Sequence, residues 1–276
     1  MKHRSLHRLP TLFGIVLLFS CRSPEKWVFQ EEILLNEISP IGLIATDKHL
    51  WLSDVAHNRI IKTDLKGKVI EEYPGFERPM HISLHQSKVY VPEFTTDTLK
   101  VLTDGKTKIL SLGEKLDAPS SVAVTENGFA VADFYNHRVL FQANDSTAII
   151  GREGHDRGEL YYPTDVEIYD EKIYVADAYN NRVQVFDLAG NLLQMIGETD
   201  DIRVATGIHV ANQSLFITDF EGDRVLIYDP HGKLKQILHD RLNKPTDIYT
   251  HQDKMYVSNY GSNSILIFIK QNQTND

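Results

Sequence analysis

The sequence predicts an all-β fold built from six similar units, and three observations carry this prediction. First, six segments share an alternating apolar run that ends in an acid or an amide, and alternation with a period of two is typical of a β-strand. Second, the terminal residues recur 39, 40, 44, 42 and 40 residues apart. They are Asp54, Glu93, Asp133, Asp177, Asp219 and Asn259. Third, no long helical pattern follows residue 20. A period near forty with several short strands predicts a six-bladed β-propeller of four-stranded antiparallel blades.

The repeat around Asp177 shows the four strands most clearly. Pro163 opens a short apolar strand, and Ile173 to Asp177 forms the second. Arg182 to Asp187 and Leu192 to Ile196 supply the third and fourth, with short turns between them. Such short turns favour antiparallel neighbours.

The two ends of the repeat region predict how the ring closes. The sixth repeat stops after its third strand, residues 265–269, whereas residues 27–35 form an apolar strand that belongs to no repeat. We expect this N-terminal strand to pair with the last blade, because that pairing removes both open edges. The propeller then spans residues 27–270, and residues 271–276 are a polar tail.

The N-terminal segment has the pattern of a lipoprotein signal peptide. Residues 1–20 combine basic residues with an apolar run at 12–19, which is too short to cross a bilayer. The sequence Leu18-Phe19-Ser20-Cys21 resembles a bacterial lipobox, which implies cleavage before Cys21 and its diacylation. Residues 21–26 would then be a lipid-anchored tether at the bacterial cell envelope, on the periplasmic or cell-surface side of a membrane. The alternative is an ordinary signal peptide followed by a free or buried cysteine.

Composition excludes some classes of function. The chain has 29 Lys and Arg against 38 Asp and Glu, a net charge of −9, which argues against nucleic acid as a partner. A single cysteine excludes an internal disulfide. We expect a monomer that contacts the membrane through its lipid.

The repeats resemble those of the NHL family, most clearly at residues 163–166, 173–177 and 182–187, with Asn180 and Gly190. The resemblance extends from about residue 27 to residue 269 and implies a six-bladed propeller. It does not specify a function, because the family contains both binding scaffolds and enzymes. Blades 2 and 6 depart from the pattern. Thr98 and Ser264 replace its arginine, and Glu93 and Asn259 replace its aspartate.

The recurring acid at the end of each second strand has two interpretations. A set of carboxylates is compatible with catalysis, but a residue repeated in every blade favours a structural role in every blade. The acid can accept hydrogen bonds from turn N–H groups and pair with an arginine five residues later, as in Asp177 and Arg182.

Function is expected where the repeats differ. One ring of equivalent positions near the start of each first strand faces the channel, and a second ring lies two residues deeper. The first ring contains Gly42, His81, Ser121, Asp165, Gly207 and Asp247. The second contains Ile44, Ser83, Ala123, Glu167, His209 and Tyr249.

The polar members of these rings are the candidate ligand-binding residues of the channel: His81, Asp165, Glu167, His209, Asp247 and Tyr249. Of these, His81, Asp165, His209 and Asp247 form a candidate site for a divalent metal on the axis, with Ca²⁺ or Zn²⁺ as candidate ions. They are also candidates for general acid and base. The alternative is a polar channel filled with water.

Aromatic residues follow the second strands on the same face as the first-strand starts. They are Phe94, Phe134, Tyr135, Tyr179, Phe220 and Tyr260, and the inter-blade loop 152–162 adds Tyr161 and Tyr162. A mouth lined by aromatic rings is typical of a ligand site, and Tyr135 and Tyr179 are assigned to it. The alternative is packing of these rings between blades.

Three functions from different classes remain open, of which the last is a purely structural tether that predicts no concave ligand site. The first is a binding module for a peptide, a glycan or an envelope protein. The second is a metal-dependent enzyme. Resemblance to peptidyl-hydroxyglycine lyases implies a zinc held by three histidines, whereas this chain offers only two inward-facing ones, His81 and His209. Resemblance to lactonases implies Glu, Asp and Asn ligands, for which Glu167, Asp165 and Asp247 are available without the Asn.

Overall fold

The computed structural model describes residues 25–144 and 146–272. The predicted signal peptide and Cys21 lie outside these residues. Strand β1 (Glu25–Leu34) comes first, and six four-stranded antiparallel sheets then follow one another along the chain. In the described part of the chain no helix is long and apolar enough to cross a bilayer.

The first three blades occupy the N-terminal half. Blade 1 contains β2 (Pro40–Ala45), β3 (His49–Asp54), β4 (Arg59–Asp64) and β5 (Val69–Pro74). Blade 2 contains β6 (Ser83–His85), β7 (Lys88–Glu93), β8 (Thr98–Thr103) and β9 (Lys106–Ile109). Blade 3 contains β10 (Pro119–Thr125), β11 (Gly128–Asp133), β12 (Arg138–Ala143) and β13 (Ser146–Ile150).

The other three blades complete the ring. Blade 4 contains β14 (Pro163–Tyr169), β15 (Lys172–Asp177), β16 (Arg182–Asp187) and β17 (Leu192–Ile196). Blade 5 contains β18 (Ala205–Ala211), β19 (Ser214–Asp219), β20 (Arg224–Tyr228) and β21 (Leu234–Leu238). Blade 6 contains β22 (Pro245–His251), β23 (Lys254–Asn259), β24 (Ser264–Asn272) and, as its outer strand, β1. Short 3₁₀ turns lie at Ala178–Asn180 and Tyr260–Ser262.

The ring closes as the sequence predicts. Strand β1 runs antiparallel to β24, with Trp27 opposite Lys270 and Ile33 opposite Ile265. Both strands are longer than expected: β1 begins at Glu25 and β24 ends at Asn272, so each extends two residues beyond the expected propeller limits of 27 and 270.

The hydrophobic core lies between adjacent blades rather than at the centre of the disc. One cluster joins Val183 and Ile196 of blade 4 to Ile217 and Tyr228 of blade 5. Another joins Ile33 and residues of β24 to blade 1, so β1 also contributes to the contact across the closure. Each blade therefore buries its faces against its two neighbours, which is the usual source of stability in a propeller.

The repeated acid has the structural role that its recurrence indicates. Asp177 is fully buried, and its carboxylate accepts bonds from the Tyr161 N–H (2.7 Å) and from Arg182 Nε (2.9 Å). Bonds from N–H groups of the loop that enters the blade are also accepted by the equivalent carboxylates of Asp54, Glu93, Asp133 and Asp219. In blade 2, where Thr98 replaces the arginine, Lys100 reaches Glu93 instead, at 2.8 Å. The departure in this blade is therefore compensated two residues along the same strand.

Candidate functional site

The two faces of the disc carry different elements. The entry face contains the loops that lead into the first strands and those that follow the second strands, such as 152–162 and 178–181. The exit face contains the turns between first and second strands and between third and fourth strands, such as 170–171 and 188–191.

A cavity of about 150 Å³ lies on the propeller axis. Four ring residues line it, namely His81, Ser121, Asp165 and Asp247, and so do all six residues of the deeper ring. The period of two along each first strand therefore places both rings on the channel, as expected. The six candidate channel residues predicted from sequence all contact this one cavity.

The cavity is closed at the ring, and its lining becomes more exposed toward the exit face. His81, Asp165 and Asp247 are only 3%, 5% and 6% exposed. The deeper Glu167 side chain is 26% exposed, and Thr125, at the exit end of β10, also lines the space. A ligand would thus reach the ring from the exit face.

Three ring side chains converge at the closed end. His81 Nδ1 lies 3.5 Å from Asp247 Oδ2 and 4.0 Å from Asp165 Oδ2, and the three residues offer ligand atoms within 4.8 Å of one another. They come from blades 2, 4 and 6, whereas blades 1, 3 and 5 place Gly42, Ser121 and Gly207 at the same register. Large and small residues alternate around the ring, so the three functional groups have space to meet.

The two glycines allow this close approach. A Cβ atom on Gly42 would lie 2.7 Å from the carbonyl oxygen of Met80, and one on Gly207 would lie 2.4 Å from that of Thr246. Both contacts are with backbone atoms, which cannot easily move. Any larger residue would separate blade 1 from blade 2, or blade 5 from blade 6.

Each carboxylate is fixed by backbone N–H groups of its own blade and the next. Asp165 accepts bonds from the N–H groups of Val166 (2.8 Å) and Ile208 (2.7 Å), and Ser121 Oγ donates to it at 2.6 Å. Asp247 accepts bonds from the N–H groups of Ile248 (2.8 Å) and Leu43 (2.7 Å). The orientation of both carboxylates is therefore set by the contact between blades.

The electrostatics of the cluster favour a charged imidazole. Burial opposes protonation of His81, but the carboxylates of Asp165 and Asp247 outweigh it and raise the pKa of His81 to about 9. Burial raises the pKa of Asp165 to about 6; the charge of Asp247 acts in the same direction, while His81 opposes it. The cluster therefore contains strongly perturbed groups at the end of a cavity, a combination that is frequent at functional sites.

His209 does not join this cluster, although it was one of the four expected metal ligands. It lies one layer deeper, where Nδ1 is 3.4 Å from Glu167 Oε2 and Nε2 is 3.0 Å from Thr250 Oγ1. The ring of Tyr249 packs against the imidazole at 4.6 Å between centroids. These neighbours hold His209 along the channel wall, so three of the four expected ligands are brought together.

The entry face of blades 2, 3 and 4 carries a continuous aromatic surface. Its rings are Phe94, Phe134, Tyr135, Tyr161, Tyr162 and Tyr179. Neighbouring centroids lie about 5 Å apart, for example 5.4 Å between Phe94 and Phe134 and 4.9 Å between Phe134 and Tyr162. Tyr135 and Tyr179 are 51% and 56% exposed. The expected ligand surface and the alternative of packing between blades both hold in part, because the rings pack across blades while Tyr135 and Tyr179 remain open to solvent.

The cavity and the aromatic surface do not form one mouth, contrary to the expectation from sequence. Among the described residues, none of the entry-face aromatic rings lines the cavity. Hydroxyl groups one position before the ring bond across to the next blade at the entry end: Ser120 Oγ to the Pro163 carbonyl (2.8 Å) and Thr164 Oγ1 to the Ala205 carbonyl (2.9 Å). These hydrogen bonds hold neighbouring first strands together on the entry side of the ring, between the cavity and the aromatic surface.

Sequence reasoning missed His137, which is buried beneath the aromatic surface and stacks on Tyr161 at 5.2 Å. It occupies a left-handed turn position, with φ of 51°, where the five other blades have Asn or Asp. Its Nδ1 accepts a bond from the Tyr162 N–H at 3.1 Å. The sequence could have indicated His137, because it is the one departure from Asn or Asp at this repeat position.

Comparison with known proteins agrees with this architecture. Residues 160–186 match the NHL repeat. The fold is similar to a streptogramin B lyase structure, with a TM-score of 0.67, 14% identity, and coverage of 91% of this chain and 88% of that one. It is also similar to a catalytically inactive virginiamycin B lyase from Staphylococcus aureus with quinupristin (TM-score 0.65, 18% identity, 88% and 84% covered).

A chain in a nidogen/laminin complex is similar as well, with a TM-score of 0.67, 13% identity, and coverage of 80% of this chain and 88% of that one. No curated protein sequence matches the chain. At these identities the structural likeness concerns the fold, which proteins with different activities share. The chain is therefore a six-bladed β-propeller that carries an NHL repeat.

Proposed function

We propose that this propeller is a non-enzymatic binding module of the bacterial cell envelope, which holds a peptide, a glycan or an envelope protein on its entry face. The observation that carries the proposal is the unbroken aromatic surface over blades 2, 3 and 4. Aromatic side chains supply large contact areas at a small cost in conformational entropy, and they are enriched where proteins bind partners. Two half-exposed tyrosines, Tyr135 and Tyr179, are its outermost rings.

Cationic groups border this surface and extend its chemistry. The Arg78 guanidinium lies over the Phe94 ring at 4.8 Å, and the Arg152 side chain in the loop 152–162 is 81% exposed, with Glu159 at 2.9 Å. A partner that combines flat or apolar groups with a carboxylate would therefore find both kinds of contact here.

The proposed lipid anchor gives the surface a favourable orientation. Strand β1 starts at the exit end of blade 6, since Glu25 pairs with Asn272, and it ends at the entry face with Leu34. Four residue steps separate Cys21 from Glu25, a reach of at most about 14 Å. A lipid on Cys21 would hold the exit side of blade 6 near the membrane, with the aromatic surface directed away from it and accessible to a partner.

The test is a ligand screen with matched variants. The purified protein is screened against a random peptide library and a glycan array, and each hit is measured again with Tyr135→Ala, Tyr179→Ala and the exit-face control Tyr169→Ala. Tyr169 is also a partly exposed tyrosine, at 36%. We expect the two entry-face variants to lose at least about tenfold in affinity while the control binds as the wild type does. Hits that depend equally on Tyr169, or on neither entry-face tyrosine, would contradict the proposal.

A metal-dependent enzyme is the second candidate function, and the convergence of His81, Asp165 and Asp247 at the inner end of a cavity favours it. The cavity wall adds Glu167 and His209, which are able to exchange protons with a small substrate. The corresponding test is hydrolysis of a panel of lactones with Zn²⁺ or Ca²⁺ present. Activity that is lost in Asp247→Asn and retained in Tyr135→Ala would support this candidate. Activity unaffected by Asp247→Asn would exclude a role for the cluster.

A further inference from the structure

We propose that His81, Asp165 and Asp247 together bind one divalent transition-metal ion at the closed end of the channel cavity. This inference is independent of the proposed entry-face function, since the two sites lie on different surfaces and share no residue. It would supply the metal that the second candidate function needs, but its test measures metal binding and requires no activity.

The spacing of the donor atoms fits such an ion. His81 Nδ1 is 3.5 Å from Asp247 Oδ2 and 4.0 Å from Asp165 Oδ2. Ligand atoms about 2.0–2.2 Å from a shared ion lie about 3.4 Å apart in tetrahedral geometry and farther apart when the angle opens. The observed separations are therefore those of ligands around a common centre, and they exceed those of direct hydrogen bonds.

The missing hydrogen bond of the buried His81 Nδ1 supports the same conclusion. His81 is 3% exposed, and its Nδ1 is buried without a hydrogen-bond partner. Buried polar atoms without a partner are rare because each one costs about 1–3 kcal/mol. Nδ1 lies at ion-pair distance from two carboxylate oxygens, but neither contact has hydrogen-bond geometry. An ion between the three atoms would remove this cost.

The carboxylates are held in place before any ion binds. Backbone N–H groups of Leu43 and Ile208, each in the next blade, bond to the same Oδ2 atoms that face His81. Bonds of this kind orient metal ligands and keep them in their ionised form. Because the donors belong to neighbouring inner strands, the ligand geometry is a consequence of ring assembly.

The donor set indicates the class of ion. Imidazole favours Zn²⁺ and Fe²⁺, while carboxylates also accept Mn²⁺ and the harder Ca²⁺ and Mg²⁺. One nitrogen and two carboxylates therefore favour a transition metal such as Zn²⁺ or Mn²⁺ over Ca²⁺. Three protein ligands also leave at least one coordination position for water or a ligand from the cavity, as in catalytic zinc sites.

The competing interpretation is a metal-free ion pair, in which a protonated His81 balances the two carboxylates. Titration calorimetry distinguishes the two. The full chain is stripped with a chelator, dialysed and titrated separately with Zn²⁺, Mn²⁺ and Ca²⁺. We expect one Zn²⁺ or Mn²⁺ ion per chain, with Ca²⁺ weaker by at least about tenfold.

Variants assign the ligands. Asp247→Asn and His81→Gln should each weaken the binding of Zn²⁺ by at least about 100-fold. The matched control is His209→Gln, which changes a buried channel histidine one layer away and should leave the affinity within about threefold of the wild type. Circular dichroism of each metal-free variant shows whether the propeller is intact.

Three results would overturn the proposal. They are the absence of stoichiometric Zn²⁺ or Mn²⁺ binding by the wild type, equal binding by the wild type and Asp247→Asn, and loss of binding in His209→Gln. The first result relies on the unaltered protein, so it remains decisive even if a variant fails to fold.

Discussion

Replacement of Ile33 by alanine measures how much the N-terminal strand stabilises the closed ring. Ile33 lies in β1, is 8% exposed, and packs with Leu50, Leu52 and Ile265 in the cluster that spans the closure. Truncation of a buried isoleucine to alanine costs about 2–5 kcal/mol, through lost burial and the cavity that remains. For a domain of this size we expect the melting temperature to fall by roughly 4–10 °C.

The adjacent residue supplies the control. Leu34 belongs to the same strand and is also a large aliphatic residue, but it is 71% exposed. Leu34→Ala should change the free energy of unfolding by less than about 0.5 kcal/mol. Urea unfolding followed by the fluorescence of Trp27, in the same strand, and Trp51, in blade 1, measures both variants. Equal unfolding midpoints for Ile33→Ala and Leu34→Ala would show that β1 is not packed into the ring, and would refute the closure.

Three further predictions concern the repeated acid, the axial cluster and the N-terminus. Asp177→Ala should destabilise the protein by about 3–5 kcal/mol in urea unfolding, because it removes the 2.9 Å ion pair of the buried Arg182. An unchanged urea midpoint would contradict the structural role of the acid. In chelator-treated protein the raised pKa of His81 stabilises the fold fully below pH 6.5, and this contribution is lost as the pH rises through 9. The melting temperature should thus fall between about pH 7 and 9.5 in the wild type and stay level in His81→Gln, and equal slopes would contradict the assignment. Cys21→Ala should move the protein out of the membrane fraction or leave an uncleaved precursor, whereas unchanged size and fractionation would argue against acylation.

The architecture was predictable because the six repeats show the sequence pattern of each strand several times. The ending of each second strand at Asp, Glu or Asn fixes the blade register, and the missing outer strand of the last blade has one matching strand, residues 27–35. The period of two then places both channel rings. These inferences depend on chain geometry, which local sequence specifies well.

Side-chain orientation was less predictable, and His209 illustrates the reason. Its register places it on the channel, but Glu167 and Thr250 of the neighbouring blades determine where its nitrogens point. Register alone does not reveal which end of the cavity is closed. That depends on bonds between blades, such as the bond from Ser120 to the Pro163 carbonyl at the entry end. The site depends on contacts between blades, which a repeat pattern within one blade does not contain.

Positions that depart from the repeat are of two kinds: some are compensated by a nearby residue, and others are candidates for function. Lys100 restores the ion pair that Thr98 cannot make, so that exception preserves the blade. His81 differs, because its buried Nδ1 has no hydrogen-bond partner although it faces two carboxylates. The central claim is therefore that this exception, together with Asp165 and Asp247, forms a binding site on the axis.

Anomalous X-ray diffraction tests that claim most directly. Crystals of the protein soaked in Zn²⁺ are measured on both sides of the zinc absorption edge, and the anomalous difference map is calculated. We predict one strong peak per chain about 2.0–2.2 Å from His81 Nδ1 and from one oxygen each of Asp165 and Asp247. A map without a peak between these atoms, with His81 Nδ1 hydrogen-bonded to one of the carboxylates, would contradict the claim and identify the cluster as a structural ion pair.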